Sequence, residues 1–337
     1  MDPLVSAFVV FYRRMVIFVD IILFFIKCVK CNTFLINISS FPWVKSASLA
    51  FLRSFYRLFV NRPQRNIHGE IALITGAGNG IGRHLSLQLS KLGVIVVAVD
   101  VNEEHNNETV DMIKRHGFPA FGYKCDISSR EQVEELAREV KNDVGDVTIL
   151  INNAGIQIIR PLGQYTPSQI EKTVAVNLLG QLWMVRAFLP RMVQMDRGSI
   201  VSVAALGGYG GFPNMIPFCA SKFAVRGYME SLYLELRQER PNHNLHLMTV
   251  APFIVDTGRV KGALIRFPGL INIVKAEDAA RTIIVSMRRG ETVLFLPGIY
   301  YYIQNFIRIL PLRVQLLITD FVDTGVEIHY DNHDGTY

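Results

Sequence analysis

Residues 71–82 read Ile71-Ala-Leu-Ile-Thr75-Gly76-Ala-Gly-Asn-Gly80-Ile-Gly82, and this stretch decides the fold. The apolar run at 71–75 is typical of a strand that is buried on both faces of a parallel sheet. The amphipathic stretch 83–92 after the glycines predicts a helix. In a strand, glycine turn and helix, the backbone N–H groups at the helix N-terminus receive a pyrophosphate, and glycine is needed because a Cβ would keep the backbone from the phosphates.

The next apolar run, 94–99, predicts a second strand and leads directly into Asp100. An acid at this point accepts hydrogen bonds from an adenosine ribose and repels a 2′-phosphate, which favours NAD over NADP. Further apolar runs at 120–125, 147–151 and 199–203 alternate with helical stretches such as 167–189. This alternation predicts an α/β fold with a single Rossmann-type doubly wound parallel sheet.

Several motifs, in the correct order, resemble those of the short-chain dehydrogenase/reductases. Thr75-Gly76-x-x-x-Gly80-x-Gly82 is similar to the family's cofactor motif, and Asn152-Asn153-Ala154-Gly155 is similar to its NNAG element. The segment 252–257 resembles the part that covers the nicotinamide. The resemblance extends from about residue 68 to 310. It implies that NAD contacts Gly76, Asn79, Gly80, Ile81, Gly82, Asp100, Asp126, Asn153, Lys222, Val255 and Thr257.

The resemblance also implies an active site, and two of its positions are changed in this chain. In the family, a tyrosine one helical turn before a lysine handles the alcohol proton, and a serine further back binds the substrate oxygen. Lys222 matches the lysine and Asn177 matches the asparagine that positions a relay water, but Phe218 occupies the tyrosine position and Ala205 the serine position. Loss of general acid–base help typically costs about 10²–10⁴ in rate. We therefore expect impaired catalysis.

Four other residues near these positions carry a hydroxyl or a thiol, and one of them, Ser221, is common at its position as a helix-packing residue. Ser202 has the wrong phase for the serine position, and Cys219 points about 100° away from the helix face that Phe218 and Lys222 share. Tyr209, in the loop after the strand, is the displaced acid–base that an active enzyme would use.

The first 70 residues differ from the rest in charge and hydropathy. They contain nine Lys or Arg and three Asp or Glu, so they hold the whole net charge of +6. The apolar stretches 4–38 and 44–61 are interrupted by charged residues, so neither is a simple membrane span. A basic, apolar segment predicts an interfacial membrane anchor, with a single span as the alternative, and disfavours nucleic-acid binding.

We therefore predict a hydrophobic membrane anchor at 1–66, the dehydrogenase domain at 67–310 and a C-terminal tail at 311–337. The anchor and the apolar C-terminal third resemble the branch that contains microsomal retinol dehydrogenases and lipid-droplet 17β-hydroxysteroid dehydrogenases. That resemblance implies a lipophilic alcohol or carbonyl as ligand. It also implies location at the endoplasmic reticulum membrane, at lipid droplets or at both, with the domain facing the cytosol.

The stretch 292–318 is apolar and aromatic, which favours a pocket lid and a second membrane contact or, equally, core packing and a homodimer face. Four scattered cysteines indicate neither a disulfide scaffold nor a metal site. Three functions stay open at this point. They are an NAD(H)-binding protein with impaired catalysis, an active lipid-alcohol oxidoreductase and a structural protein of lipid droplets.

Overall fold

The computed structural model describes residues 62–257 and 273–322, together with positions 46 and 49 and two short strands at 263–264 and 325–326. These residues, apart from the first few, belong to a compact unit that runs from Pro63 to Tyr337. The predicted anchor lies almost entirely outside the described residues. Within the described part of the chain, no helix is both long enough and apolar enough to cross a membrane.

In chain order, the described strands are β1 (Ile71–Thr75), β2 (Ile95–Asp100), β3 (Ala120–Lys124), β4 (Ile149–Asn152), β5 (Gly198–Val203), β6 (Leu245–Pro252), β7 (Val255–Asp256), β8 (Ala263–Leu264), β9 (Val274–Lys275), β10 (Val293–Leu296) and β11 (Gly325–Val326). Seven of them form the parallel central sheet, in the order β10-β6-β5-β4-β1-β2-β3. β7 pairs with β9, and β8 pairs with β11. The chain winds outward in both directions from β1 and β4, so the predicted doubly wound sheet is confirmed.

The helices lie between consecutive strands. They are α1 (Gly80–Ser90), α2 (Glu103–Arg115), α3 (Arg130–Asp143), α4 (Pro167–Val174), α5 (Gln181–Met195), α6 (Ile216–Glu239), α7 (Ala276–Arg288), α8 (Ile299–Ile309) and α9 (Leu312–Val322). The predicted helix 167–189 is divided, because the π-helical segment Ala175–Gly180 separates α4 from α5. π-helical turns inside α-helices occur frequently at functional sites.

The core lies on both faces of the sheet. On one face, α1 and α7 bury Leu85, Leu89 and Ile283 against the strands. On the other face, α5 and α6 bury Met184 and Met229. Because β1 and β4 are neighbours, the connections from their carboxyl ends diverge to opposite sides of the sheet. This divergence opens a crevice at the place where ligands bind in doubly wound folds.

Candidate functional site

The loop between β1 and α1 has a backbone that only glycines accommodate. Gly76 and Gly80 have φ angles of 67° and 54°, in the left-handed region. A Cβ at Gly82 would lie 2.0 Å from the carbonyl oxygen of Gly76. The side chain of Asn79 caps α1 by accepting a hydrogen bond from the backbone N–H of Gly80 at 2.7 Å. The loop is therefore a cradle of backbone groups at a helix N-terminus, which fits a phosphate group.

Asn153 holds this loop in place. Its side-chain amide donates to the carbonyl oxygens of Thr75 at 2.9 Å and Gly76 at 3.2 Å. In return, the Thr75 hydroxyl accepts hydrogen bonds from the backbone N–H groups of Asn153 and Ala154. The end of β4 is thus tied to the start of the glycine loop. The structure gives Asn153 a positioning role, and its contact with a cofactor stays a prediction.

Asp100, at the end of β2, lies at the mouth of the glycine loop. One carboxylate oxygen accepts a hydrogen bond from the backbone N–H of Gly78, and the other accepts one from Asn102, both at 2.9 Å. Arg83, whose side chain donates to the Gly78 carbonyl of the same loop, is paired with Glu108 at 2.8 Å. A carboxylate beside an arginine that is already neutralised fits ribose hydroxyls better than a 2′-phosphate.

Asp126 and Ile81 are two more of the predicted cofactor contacts. The Asp126 carboxylate accepts the backbone N–H and the hydroxyl of Ser128, at 2.9 and 2.7 Å, which fixes it after β3. Ile81 belongs to the hydrophobic core on the α1 side of the sheet. Ile81 therefore anchors the start of α1, and any cofactor contact that it makes comes in addition to this packing.

The segment that follows β6 lies against the glycine loop. The Thr257 methyl group lies 3.0 Å from the position of an ideal Cβ on Gly80. Val255, two residues earlier, is buried in the same core. The structure therefore brings Thr257 to the glycine loop, although the two are far apart in sequence, and the covering of a nicotinamide by the segment 252–257 stays a prediction.

Lys222 and the two changed positions lie together at the carboxyl end of β5. The Lys222 side chain is only 3 % exposed, and its ammonium donates to the carbonyl oxygen of Val203 at 2.9 Å. The Phe218 ring centroid lies 5.8 Å from the Lys222 Nζ atom. Ala205 is buried just beyond the end of β5. Burial lowers the pKa of Lys222 to about 8.

Asn177 joins the π-helical segment to this group. Its side chain accepts the backbone N–H of Ile156 at 2.8 Å and donates to the Ile156 carbonyl at 2.9 Å. It also donates to the hydroxyl of Ser221 at 3.2 Å, and Ser221 donates to the Phe218 carbonyl at 2.7 Å. An added Cβ on Gly155 would lie 3.3 Å from the Lys222 Nζ atom. Asn177 and Lys222 are thus within one cluster, and the catalytic roles that the resemblance implies for them stay predictions.

Tyr209 is the residue that a displaced acid–base would require. Its side chain is buried, and its ring centroid lies 4.5 Å from that of Phe295. The guanidinium of Arg226 lies 4.6 Å from the same ring. Burial nevertheless raises the pKa of the Tyr209 phenol above its ordinary value. This shift is opposite to the one that proton transfer near neutral pH needs.

Ser202 and Cys219 are the other two candidates for the missing groups. The Ser202 hydroxyl forms a 2.6 Å hydrogen bond with the Tyr228 hydroxyl, which itself donates to Gln181 at 2.9 Å. Burial raises the pKa of the Cys219 thiol. The Ser202 hydroxyl is thus bonded to Tyr228, and the Cys219 thiol lacks the lowered pKa that activates a nucleophile or a base.

An aromatic wall lines the carboxyl end of the sheet beyond β5 and β10. It consists of Tyr209, Phe212, Phe253, Phe295 and Tyr300. Ring centroids are 4.9 Å apart for Phe253 and Tyr300 and 6.1 Å apart for Phe212 and Phe253. Sequence reasoning missed Phe212, because a single aromatic residue in a glycine-rich loop carries no periodic signal.

A second missed contact holds α8 against this wall. The Arg308 side chain donates to the carbonyl oxygen of Tyr209 at 3.1 Å, and its guanidinium lies 5.4 Å from the ring of Phe223. The arginine thus connects α8 to the loop after β5 and to α6. A lone arginine in an apolar stretch gave no indication of either partner.

A glycine cradle at the switch point of a doubly wound sheet defines a dinucleotide-binding α/β protein. The model of the short chain dehydrogenase family matches residues 70–264, so the chain belongs to this family. It is 38 % identical to epidermal retinol dehydrogenase 2 of Mus musculus over 275 residues, which is 81 % of this chain and 89 % of that protein. It is 34 % identical to 17-beta-hydroxysteroid dehydrogenase 13 of Homo sapiens over 272 residues, 80 % of this chain and 88 % of the relative.

Solved structures show the same fold. A short chain dehydrogenase/reductase from Burkholderia phymatum, in complex with NAD, superimposes with a TM-score of 0.64 at 26 % identity. This match covers 72 % of this chain and 93 % of the other. A metagenomic short-chain oxidoreductase in complex with NADP gives a TM-score of 0.58 at 27 % identity, covering 68 % and 96 %. The predicted family and its retinol and 17-beta-hydroxysteroid dehydrogenase branch are thus confirmed.

Proposed function

We propose that this protein is a membrane-associated, NAD(H)-binding member of the family that binds a lipophilic alcohol or carbonyl and converts it slowly at best. One observation carries the proposal. Phe218 lies one helical turn before Lys222, with its ring centroid 5.8 Å from the amine, and Ala205 follows β5. The position next to the family lysine is therefore filled by a ring without a hydroxyl.

The glycine loop and Asp100 support NAD(H) as the bound cofactor. A Cβ at Gly76 would lie 2.9 Å from the Cα of Ala154, and a Cβ at Gly82 would lie closer still to backbone. The glycines therefore let the loop pack closely against the end of β4 and the start of α1, and the backbone N–H groups at the N-terminus of α1 fit a phosphate group. The Asp100 carboxylate is positioned for ribose hydroxyls, and a relative of known structure binds NAD. When bound, the nicotinamide supplies the hydride donor or acceptor.

The residues that remain around Lys222 do not replace the missing hydroxyl groups. Alcohol oxidation needs a base that takes the hydroxyl proton, and Phe218 has none to offer. The Lys222 side chain donates a hydrogen bond to the Val203 carbonyl. Ala205 removes the donor that would bind the substrate oxygen, a loss of about 10²–10³ in similar sites. The two losses concern one catalytic unit, so their factors do not multiply.

The ligand class follows from the aromatic wall and from the relatives. Phe212, Phe253 and Tyr300 line an apolar surface at the carboxyl end of the sheet, which suits a lipophilic molecule. The similar proteins are named for retinol and for 17-beta-hydroxysteroids. The basic, apolar N-terminal sequence supports location at the endoplasmic reticulum membrane or at lipid droplets, with the domain on the cytosolic side.

Two alternatives predict different behaviour. An active enzyme that uses Tyr209 would turn over without any substitution, and the raised pKa of Tyr209 argues against it. A purely structural lipid-droplet protein would not bind NADH tightly.

The test uses the full chain in liposomes, with NADH fluorescence for binding and absorbance for turnover of retinol, retinal and a steroid alcohol. The unmodified protein is compared with Ala205→Ser/Phe218→Tyr, and with the same pair plus Lys222→Met as the matched control. At saturating cofactor, we expect turnover to rise about a hundredfold or more, and only in the double variant. Turnover by the unmodified protein that Tyr209→Phe abolishes would overturn the proposal, as would failure to bind NADH.

A further inference from the structure

The last two described helices expose a continuous set of large apolar side chains. On α8, Ile299, Tyr302, Phe306 and Ile309 recur at helical spacing, and the exposed fractions of Phe306 and Ile309 are 63 % and 82 %. On α9, the exposed apolar side chains include Leu312, Leu316 and Leu317. These seven side chains are called the C-terminal apolar face. A contiguous exposed patch of this kind marks an interaction site.

The opposite side of α8 is fixed to the domain, so this exposure follows from the packing of the helix. Tyr300 contacts Phe253 in the aromatic wall, with ring centroids 4.9 Å apart. The Tyr301 ring lies 5.5 Å from Phe295. Arg308 donates to the Tyr209 carbonyl. With these contacts on the inside, the stripe that contains Phe306 and Ile309 must point outward.

The charge around the face indicates what covers it. Residues 299–319 include two basic side chains, Arg308 and Arg313, and no acidic one. Both arginines are exposed along part of their length, and tyrosines lie at the start of α8. Apolar side chains bordered by tyrosine and arginine are typical of segments that lie in a lipid interface, where the basic groups meet anionic headgroups.

A second copy of the chain is the competing occupant. A two-fold interface apposes the same patch from both subunits. Both subunits would then bring Arg313 and the exposed part of Arg308 to one interface, and the described face offers no acidic side chain to neutralise them before Asp320. Phospholipid phosphates supply that negative charge. Charge complementarity therefore favours lipid.

We propose that the C-terminal apolar face docks on a phospholipid surface, as a contact separate from the N-terminal segment. The inference rests on the proposed function, since it gives a lipid-ligand protein its orientation. α8 then has lipid on its outer side and the aromatic wall on its inner side. A lipophilic ligand would reach the wall from the membrane along α8, without crossing water.

The test measures how deeply one side chain enters the lipid. Vesicle binding alone is not sufficient, because the N-terminal segment can bind vesicles by itself. Phe306→Trp and Leu234→Trp are matched, since both side chains are 63 % exposed and Leu234 lies on α6. Each full-length variant is mixed with vesicles of phosphatidylcholine and phosphatidylserine in which the phosphatidylcholine chains are brominated. The unmodified chain, with its two native tryptophans, gives the background quenching.

We expect quenching well above background for Phe306→Trp and background quenching for Leu234→Trp. Adding Ile309→Glu to Phe306→Trp should remove at least half of the extra quenching. Equal quenching of the two variants would overturn the proposal. Background quenching of the tryptophan introduced on α8 would also overturn it. If that protection from lipid depends on protein concentration, a second copy of the chain covers the face; if it does not, a segment of the same chain covers it. NADH binding by the same samples tests the proposed function independently.

Discussion

The glycine loop after β1 and the site after β5 lie at the same edge of one sheet, yet they differ in what this chain keeps. The loop retains its glycines, the Asn79 cap and the Asp100 carboxylate in a consistent hydrogen-bonded arrangement. The second site holds Lys222 and Asn177 in one cluster, while Phe218 and Ala205 stand where the family resemblance predicts hydroxyl groups.

The difference shows that cofactor binding and catalysis depend on different kinds of atoms. The loop depends on backbone N–H groups and on the absence of Cβ atoms, so any change of glycine there deforms the fold itself. Proton transfer depends on two side-chain oxygens, and the backbone around Phe218 and Ala205 forms regular structure without them. Catalysis can thus be lost while the fold and the cradle persist.

The largest effect is expected for Gly82→Ala. The new Cβ would lie 2.0 Å from the Gly76 carbonyl oxygen, a backbone atom that cannot move without displacing the loop. We expect NADH binding to weaken a hundredfold or more and the free energy of unfolding to fall by about 3 kcal/mol. Fluorescence titration and denaturant unfolding measure the two effects. Gly227→Ala, in α6 with open space around it, is the control and should leave both unchanged or slightly improved. Unchanged NADH binding by Gly82→Ala would contradict the dependence of cofactor binding on the glycine loop.

The second effect concerns the pH dependence of stability at Lys222. Burial lowers its pKa from 10.5 to about 8, so between these values the unfolded chain holds a proton that the folded chain has released. The free energy of unfolding therefore gains a contribution that rises with pH across this window, by at most about 3 kcal/mol. Lys222→Met should lose this rise.

Denaturant unfolding of both proteins, at several pH values between 8 and 10.5, measures the prediction as a difference between them. Groups with raised pKa values, such as Cys125, are common to both proteins and cancel in the difference. A difference that stays constant with pH would show that Lys222 is not desolvated as the structure indicates.

The third effect tests the cofactor preference. Asp100→Ser removes the carboxylate that faces the predicted ribose position and keeps a small polar side chain. We expect NADH to bind about tenfold to a hundredfold more weakly, since a hydrogen bond to a charged group contributes about 1.5–3 kcal/mol. NADPH binding should weaken less or improve, because a repulsive charge is lost. Asp111→Ser, on the exposed side of α2, should bind both cofactors normally. Unchanged discrimination would refute the role of Asp100.

The smallest effect is expected for Arg308→Gln. The variant loses the cation–π contact with Phe223 and the hydrogen bond to the Tyr209 carbonyl, so α8 is held less firmly. We expect the unfolding temperature to fall by a few degrees, which corresponds to about 1 kcal/mol. NADH binding at the distant glycine loop should not change. Arg313→Gln is the control, and an equal fall in that variant would show that charge alone is responsible.

Much of the fold could be predicted because its signals are local. The apolar runs correctly placed β1, β2 and β5 within two residues, and the glycines fixed the turn between β1 and α1. The division of the helix around Asn177 was not predicted, because apolar periodicity does not distinguish a π-helical turn from continuous α-helix. Nor could the exposed side of α8 be predicted, because its inner and outer sides are both apolar.

The site could be predicted only where spacing along one element determines geometry. Phe218 and Lys222 share a face of α6 because they are one turn apart, and the structure confirms this proximity. The partners of Ser202, Tyr209 and Arg308 come from other elements, so tertiary packing alone determines them. The hydrogen bond from the Asn153 backbone N–H to the Thr75 hydroxyl was not predicted, for the same reason.

The hydrogen bond from Lys222 to the Val203 carbonyl also bears on how such a site drifts under selection. The Val203 carbonyl has a second donor, Gln181 at 3.3 Å, so replacing the lysine would remove one of its two side-chain hydrogen bonds together with a buried aliphatic chain. Lys222 therefore contributes to packing and hydrogen bonding at the end of β5 whether or not any substrate is converted. The side chains of Phe218 and Ala205 form no such hydrogen bond. An intact lysine in a relative of this protein is consequently poor evidence of an active enzyme.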